Sequence, residues 1–466
     1  MSAKGEVVEL EIESAAFEGK MVARLDGYVI FVPFAVPGDR VRARIVRRRK
    51  KYAEAVVEEV LSPSPCRADP RCRYFGVCGG CRLQNVDYRK QLEIKHRQVV
   101  DLLERVGGLP DPPVAETIPS PEQYYYRNKM EFTFGRQRWL LAEEIAGGQP
   151  LRKDFALGLH VPGRFDKVLD LEECHLQGEE SVRLVNLVRQ IALEEGWAPY
   201  DTLEHTGFLR NLVIRCGKQT GDWMVVVITR ERIAEAMELL ARKIREVLPT
   251  LTTFVNGVNP HRSPVAQGEE EFVHVGDGTL RERLGDLIFR ITPSAFFQPN
   301  TLQAERLIEL VQHFVEPAKH MLVFDLYSGI GCIGLSLARR VRRVVGMESQ
   351  AEAVRLAVLN ARENGIDNAL FCQGDAVEAL KPGFLRTHGK PDVIILDPPR
   401  AGLHPDVVEA LLRVKSKRLV YTSCNPATLA RDLRRLVQNY ELTAVQPVDM
   451  FPQTFHIECV ASLQLR

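Results

Sequence analysis

The chain has 466 residues, of which 45% are hydrophobic and 26% charged, and 62 Lys and Arg against 61 Asp and Glu leave a net charge of +1. This length predicts two or three domains, and the charge balance excludes a uniformly basic nucleic-acid-binding protein. No apolar run approaches the ~20 residues that span a bilayer, and the first residues lack the apolar core of a signal peptide. We therefore expect a cytoplasmic protein that does not bind membranes, whose ten cysteines are reduced, metal-bound or catalytic. No obligate protein partner is inferred.

The first sixty or so residues predict a small β domain, residues 1–62. Five short, partly alternating stretches are predicted as strands: Val7–Ile12, Lys20–Leu25, Tyr28–Val32, Arg40–Val46 and Tyr52–Val60. Five strands at this spacing indicate an OB-like barrel, a common oligonucleotide-binding shape. The basic run 47–51 falls at the end of one strand, and on such a barrel we interpret it as a phosphate contact rather than only a solvated hairpin tip.

Residues 63–292 predict a central α+β domain. The segment 62–65, Ser-Pro-Ser-Pro, is a linker, a helix is predicted from Tyr88 to Val106, and mixed strands and helices follow to Arg290. The segment 124–129 mixes three tyrosines with Arg127 and Lys129, as RNA-binding surfaces do.

A cysteine cluster opens this central domain. Cys72, Cys78 and Cys81 lie close together, and three such thiols in a cytosolic chain predict a metal site. Zinc and an iron–sulfur cluster both need a fourth ligand, for which Cys66 and Cys174 are the candidates, and Cys66 is nearer in sequence. The CxxxCxxC spacing of radical enzymes is absent, so no radical chemistry is inferred.

From residue 293 onward, strands and helices alternate. Helices are predicted between apolar strands, for example over 351–364 and 407–413, and the strands are 321–326, 343–348, 393–397 and 418–421. This order predicts a doubly wound α/β domain with a mainly parallel sheet over residues 293–466. Ligands of such sheets bind at the carboxyl ends of strands, where four candidate residues fall: Asp325, Glu348, Asp397 and Cys424.

The loop 325–334 joins a strand to a helix and carries glycines that let a ligand approach the backbone. Glu348 lies about twenty residues further on, where a carboxylate binds ribose hydroxyls. A nicotinamide cofactor is one interpretation. The Asp-x-x-Ser before Gly-x-Gly and the later Asp397-Pro398-Pro399-Arg400 more closely resemble S-adenosylmethionine-dependent methyltransferases.

Cys424 follows an apolar strand, in a position that suits a nucleophile. A thiolate that adds to C6 of a pyrimidine makes C5 nucleophilic, so that C5 can accept a methyl group. A base must then remove the C5 proton, and Glu458, set between apolar residues, is the best candidate. The remaining cysteines outside the cluster are interpreted as packing residues.

Five motifs together resemble the RNA uracil-C5 methyltransferase family over nearly the whole chain: 296–300, 325–329, 397–400, 423–426 and 456–458. The resemblance implies a Rossmann-like S-adenosylmethionine-dependent domain, an N-terminal TRAM barrel, Cys424 as nucleophile and Glu458 as base. It implies these cofactor contacts: Gln298, Tyr327, Gly329, Glu348, Asp375 and Asp397. The chain departs from some relatives at Cys332 and Asp375. For the metal site, the resemblance implies a [4Fe–4S] cluster on four cysteines: Cys72, Cys78, Cys81 and Cys174.

The resemblance also implies an RNA substrate whose target base flips out of its stack. Ribosomal RNA, 23S rRNA in particular, is favoured because the simpler tRNA enzymes of the family lack both the barrel and the cluster. The alternatives are a tRNA uracil-C5 methyltransferase and a non-catalytic RNA-binding protein.

Overall fold

The N-terminal part of the chain forms a closed barrel. The computed structural model describes residues 4–148, 150–262 and 265–466. Its barrel strands run in the order β1-β2-β3-β5-β4, and β4 pairs back onto β1. The strands are β1 (Val7–Ala15), β2 (Met21–Leu25), β3 (Tyr28–Val32), β4 (Arg40–Arg48) and β5 (Tyr52–Ser62), with a short 3₁₀ turn at Phe17–Gly19. The predicted five-stranded barrel is confirmed.

The barrel strands alternate between two environments. In β4, Val41, Ala43 and Ile45 point into the barrel core, whereas Arg40 and Arg44 are exposed. This period of two is what the sequence pattern predicted.

Helix α1 (Tyr88–Arg105) connects the barrel to the rest of the molecule. The Asp87 side chain caps its amino end by accepting a hydrogen bond from the Arg89 N–H at 3.0 Å. Ile94 packs into the barrel core, while Val99 and Leu103 pack into the core of the C-terminal domain. One amphipathic helix therefore contributes side chains to two hydrophobic cores.

The central part of the chain forms an eight-stranded sheet in the order β13-β12-β11-β10-β6-β8-β9-β7. Its strands are β6 (Lys129–Gly135), β7 (Arg138–Trp139), β8 (Ala156–Val161), β9 (Arg164–Asp170), β10 (Leu209–Cys216), β11 (Trp223–Thr229), β12 (Leu251–Val258) and β13 (Glu270–Val275). Its helices are α2 (Ala142–Ala146), α3 (Glu179–Glu194) and α4 (Ala234–Val247). The middle strands are apolar on both faces: Val225 and Val227 pack against α3 and α4, whereas Met224 and Val226 pack toward the C-terminal domain.

The C-terminal part is an α/β domain with a seven-stranded sheet in the order β18-β17-β16-β19-β20-β22-β21. A hairpin and a helix precede the sheet: β14 (Leu280–Leu284), β15 (Leu287–Ile291) and α5 (Thr301–Val315). The sheet strands are β16 (Leu322–Leu326), β17 (Arg343–Glu348), β18 (Ala369–Gln373), β19 (Val393–Leu396), β20 (Arg418–Ser423), β21 (Tyr440–Val448) and β22 (Glu458–Leu465). The remaining helices are α6 (Cys332–Ala338), α7 (Ala351–Glu363), α8 (Ala376–Ala379), α9 (Pro382–His388), α10 (Pro405–Val414) and α11 (Pro426–Leu436).

The predicted doubly wound domain is confirmed, with one feature that the sequence did not predict. Strands β16 to β20 are parallel, but β22 runs antiparallel between β20 and β21. No helix in the described parts of the chain is both long and apolar enough to cross a membrane.

A buried ion pair links α1 to the segment between β21 and β22. The Lys95 ammonium lies 2.5 Å from a carboxylate oxygen of Asp449, and both side chains are at most 1% exposed. The Tyr88 hydroxyl donates to the second oxygen of Asp449 at 2.8 Å, and Lys95 also donates to the Phe451 carbonyl at 3.1 Å. These bonds satisfy a pair that would otherwise be costly to bury.

Replacement of Lys95 by methionine should leave the Asp449 carboxylate buried without a cation. We expect Lys95→Met to lower the free energy of unfolding by about 3–5 kcal/mol, measured by urea denaturation. Lys95→Met with Asp449→Leu should recover most of that loss. Lys90→Met is the matched control, because Lys90 pairs with Glu93 at the surface of the same helix, where such pairs contribute ~0–1 kcal/mol. Equal losses in Lys95→Met and Lys90→Met would contradict this role.

Candidate active site

The sheet register brings the predicted catalytic pair together. Cys424 directly follows β20, and Glu458 is the first residue of β22. Because the two strands are antiparallel and Ser423 pairs with Cys459, the carboxyl end of β20 meets the amino end of β22. Asp397 directly follows β19, the parallel neighbour of β20, and so reaches the same edge.

A cavity at this edge collects most of the predicted cofactor residues. Gln298, Tyr327, Gly329 and Asp397 all line it, together with other side chains that include Phe296, Phe297, Asp325, Ser328 and Cys332. Glu348 lies at its margin, where its carboxylate accepts a hydrogen bond from the Gly329 N–H at 3.0 Å. Asp375 is exposed at the start of α8 and does not line the cavity.

The glycine-rich loop is shaped by close backbone contacts. The Gly334 N–H donates to the Asp325 carboxylate at 2.9 Å, and a Cβ at Gly334 would lie 2.8 Å from that oxygen. Tyr327 adopts a φ of 66°, a left-handed conformation that is uncommon for an aromatic residue. Its N–H donates to the Met347 carbonyl at 2.9 Å, which ties the loop to β17.

Three carboxyl groups face this site with no ion-pair partner among the described residues: Asp325, Asp397 and Glu458. Burial raises the pKa of Asp325 to about 7, and Asp397 adds to the rise. Burial likewise raises the pKa of Asp397 to about 7. It raises the pKa of Glu458 well above its usual range, which Asp397 increases and Arg400 opposes. One oxygen of Asp325 also lacks a hydrogen-bond partner. The site is therefore suited to a cationic ligand.

Cys424 lies between β20 and the cap of α11. Asn425 caps α11 by accepting from the Ala427 N–H at 3.1 Å, and its amide donates to the Arg400 carbonyl at 3.1 Å. Burial raises the pKa of the Cys424 thiol to about 11; Glu458 adds to the rise and Arg400 opposes it. The thiol is thus protonated at neutral pH in this structure, and Arg400 is the cation that favours its ionisation.

The segment between β21 and β22 is held by residues from the start of the central domain. The Arg82 and Leu83 N–H groups donate to the Gln453 carbonyl at 2.9 and 3.1 Å. The Gln91 amide donates to the Gln453 side chain at 3.0 Å, and the Tyr126 hydroxyl donates to the Pro452 carbonyl at 3.0 Å. These contacts fix the path of the backbone that leads to Glu458.

Asn128 holds the other wall of the cavity. Its side-chain amide donates to the Gln298 carbonyl at 2.8 Å and to the Thr301 hydroxyl at 2.9 Å, and its N–H donates to the Pro299 carbonyl at 2.8 Å. The Thr301 hydroxyl in turn donates to Glu282 at 2.7 Å. The central domain thereby positions the loop that presents Gln298.

The four predicted cluster cysteines line a second, smaller cavity: Cys72, Cys78, Cys81 and Cys174. Cys66 packs against the barrel core instead. Within the described residues, no group of three or more His, Cys, Asp or Glu side chains is arranged to hold a metal ion. The structure thus gathers the four thiols around one space without forming a single-ion site.

The aromatic and basic segment 124–129 divides between two places. Arg71 lies over the rings of Tyr124 and Tyr125, at 5.4 and 4.9 Å from their centroids. Arg127 and Lys129 line a large groove beside the cavity. The sequence predicted no role for Arg400, and it named Asp325 only as a candidate at the carboxyl end of a strand. It also did not predict the other arginines of this groove, which share no motif: Arg82, Arg164, Arg210, Arg215 and Arg262.

Comparison with known proteins defines the family. Residues 219–466 match the tRNA (Uracil-5-)-methyltransferase family, and residues 2–57 match the TRAM domain. An uncharacterized RNA methyltransferase of Chlorobaculum tepidum is 41% identical, over 99% of this chain and 97% of the relative. One from Bacteroides thetaiotaomicron is 42% identical, over 97% of this chain and 100% of the relative. The solved structure of Pyrococcus abyssi tRNA (uracil-54, C5)-methyltransferase in complex with S-adenosyl-L-homocysteine is 30% identical, covers 97% of this chain and 99% of that chain, and has a TM-score of 0.74.

The chain therefore belongs to the tRNA (uracil-5-)-methyltransferase family. It is an RNA (uracil-5-)-methyltransferase with an N-terminal TRAM domain, and the alternative of a non-catalytic RNA-binding protein is not supported.

The environment of Cys424 predicts how its reactivity depends on pH. Below a thiol pKa of about 11, the rate of alkylation by iodoacetamide should rise about tenfold per pH unit, because only the thiolate reacts. Arg400→Gln removes the opposing cation and should slow the reaction at pH 8, whereas Glu458→Gln should accelerate it. Mass spectrometry of the peptide that contains Cys424 measures both rates. Arg434→Gln, an exposed change on α11, is the control, and equal rates in all variants would contradict the assigned electrostatics.

Proposed function

We propose that this enzyme methylates C5 of a specific uridine from S-adenosylmethionine, through a covalent bond between Cys424 and C6 of the base. The observation that carries this proposal is the register that sets Glu458 beside Cys424 at the sheet edge that Asp397 also reaches. The proposal includes a division into a barrel (1–62), a central domain (63–292) and a catalytic domain (293–466), and action in the cytoplasm.

The charges of the cavity support S-adenosylmethionine over a nicotinamide dinucleotide. The methyl donor carries a positive sulfonium and a positive ammonium group, which suit the unpaired carboxyl groups of Asp325 and Asp397. The pyrophosphate of a dinucleotide would bring two negative charges beside the same carboxyls. Gln298, Tyr327, Gly329 and Glu348 are proposed as further contacts, and Asp375 as a contact on the adenine side.

The proposed reaction proceeds by addition and elimination. The Cys424 thiolate adds to C6, and the electrons of the C5–C6 double bond move toward O4 to form an enolate. C5 then takes the methyl group as the sulfur–methyl bond breaks, which leaves S-adenosylhomocysteine. Glu458 removes the C5 proton, the double bond re-forms and the thiolate leaves. Burial raises the pKa of Glu458, which makes its carboxylate a stronger proton acceptor than an exposed one.

We propose 23S rRNA as the first candidate for the target, on the combination of a TRAM barrel with four clustered cysteines. A tRNA uridine is the second candidate, because an enzyme named for tRNA aligns with 97% of this chain. Because that enzyme shares the overall architecture of this chain, the architecture alone does not distinguish an rRNA substrate from a tRNA substrate.

A trapped intermediate tests both the mechanism and the target. Glu458→Gln keeps the nucleophile but removes the base, so the methylated adduct should accumulate as a protein–RNA species that survives denaturing electrophoresis. The double variant Cys424→Ala/Glu458→Gln should form none. Sequencing of the RNA trapped in cells then names the substrate: 23S rRNA supports the first candidate and tRNA the second. An adduct that persists without Cys424 would sink the covalent mechanism.

For the four clustered cysteines we propose a [4Fe–4S] cluster with a structural role. A single zinc ion with Zn–S bonds of ~2.3 Å needs its thiolates within about 4 Å of one another. A cubane cluster spaces them farther apart, because each thiolate binds a different iron. Cys174 lines the same cavity as Cys72, Cys78 and Cys81, whereas Cys66 packs against the barrel core, which supports Cys174 over Cys66 as the fourth ligand.

Metal analysis distinguishes the two candidate ligands. Anaerobically purified protein should contain about four iron atoms and four acid-labile sulfides per chain. Cys174→Ser should lose most of both, whereas Cys66→Ser, the matched control, should keep them. A wild-type protein that carries one zinc ion and no sulfide would exclude the cluster.

A further inference from the structure

A long groove runs beside the cofactor cavity along the central sheet. It encloses about 1140 Å³, more than the ~300–1,000 Å³ of small-molecule sites, and so fits an extended ligand. Phe296 and Phe297 line both the groove and the cofactor cavity. A polymer in the groove therefore leads directly to the position where the methyl group is transferred.

The groove is strongly basic. One acidic residue, Glu131, lines it against seven cations: Arg82, Arg127, Lys129, Arg164, Arg210, Arg215 and Arg262. Glu131 is itself paired with Lys129 at 2.5 Å. Within the described chain, Arg82, Arg127 and Arg164 make no ion pair. Such a surface attracts a polyanion.

Two of these arginines are buried in the wall of the groove and are held there by hydrogen bonds. Arg215 is 4% exposed and donates to the Pro293 and Ala295 carbonyls at 3.1 and 2.6 Å. Arg210 is 5% exposed and donates to the Asn259 carbonyl at 2.7 Å. Arg164 and Arg262 are exposed at its edge. Buried cations held by hydrogen bonds, with exposed cations at the edge, form a preorganised anion site.

The barrel differs from the groove in its charge balance. Residues 1–62 carry eleven Lys and Arg against ten Asp and Glu. Four of the five arginines of β4 have carboxylate partners on the barrel: Arg40 with Glu9, Arg42 with Glu59, Arg44 with Glu58 and Arg47 with Glu54. A phosphate would have to displace a carboxylate from these four arginines, whereas in the groove it meets Arg82, Arg127 and Arg164, which make no ion pair among the described residues.

We propose that this groove, rather than the TRAM barrel, supplies most of the electrostatic contact with the RNA strand that enters the active site. The ligand is single-stranded RNA, because a base must leave its stack before an enzyme can methylate it. Phe296, 68% exposed where the groove meets the cofactor cavity, offers a ring face to such a base. The inference rests on the RNA-methyltransferase activity of the family and not on the covalent mechanism.

Two matched charge reversals test the assignment. Arg164→Glu/Arg262→Glu alters the groove, and Lys50→Glu/Lys51→Glu alters the barrel tip by the same four charges. Binding of a fluorescein-labelled 15-nucleotide single-stranded RNA is followed by anisotropy over a series of salt concentrations. The groove pair should reduce the slope of log K against log salt by about 1.4, that is ~0.7 for each lost phosphate contact, and raise Kd roughly tenfold. The barrel pair should change the slope by less than half as much.

An equal or larger effect of the barrel pair would overturn the proposal, as would unchanged binding in both. Calorimetric binding of S-adenosylhomocysteine, expected to be the same in both variants, shows that the fold is kept. If the groove variant loses that binding, the RNA-binding comparison is repeated with milder substitutions. These are Arg164→Gln/Arg262→Gln in the groove and Lys50→Gln/Lys51→Gln at the barrel tip. Failure of the Glu458→Gln adduct to form would count against the mechanism alone, since RNA affinity is measured here without catalysis.

Discussion

The ion pair between Lys95 and Asp449 fixes the segment on which the catalytic geometry depends. Asp449 begins the connection that ends at Glu458, and the pair attaches it to a helix that also packs against the barrel. Because both charges are buried, neither can leave without a large cost, so the connection has one position. The hydrogen bonds to Gln453 then set its path. The segment that leads to Glu458, the proposed base, is therefore held by residues 82–95.

The active site contains buried carboxyl groups whose charged forms are unfavourable, and the interactions of the rest of the fold offset that cost. Asp325, Asp397 and Glu458 are kept close together without cations, and their raised pKa values show that burial disfavours their charged forms. In the free protein these raised pKa values lower the stability progressively as the pH rises from the ordinary carboxyl pKa of ~4 to about 7, and the full loss remains at higher pH. A cationic methyl donor relieves that repulsion when it binds. The folding free energy that the free protein loses through these carboxyl groups is partly regained as binding free energy for the methyl donor.

Local patterns made the elements of the fold predictable. Strands β16, β17, β19 and β20 were found from their apolar runs, and the catalytic pair and the loop glycines from motifs. Non-local pairing was not predictable: no local signal places β22 antiparallel between β20 and β21. The cavity lined by four cysteines shows the same limit, because Cys66 is nearer to Cys72 in sequence, whereas Cys174 is the cysteine that lines the cavity with it. The groove arginines come from separate strands and loops, so only the folded sheet brings them together.

The contact between Gln91 and Gln453 spans 362 positions of the chain. Contacts of such high separation form only after both partner segments have been synthesised and folded, and they slow the search for the native state. During synthesis, the glycine-rich loop and Cys424 are thus available before the segment that carries Glu458 is anchored. Until that anchor forms, the residues of the cavity and Cys424 are present without Glu458, the proposed base, held in its place.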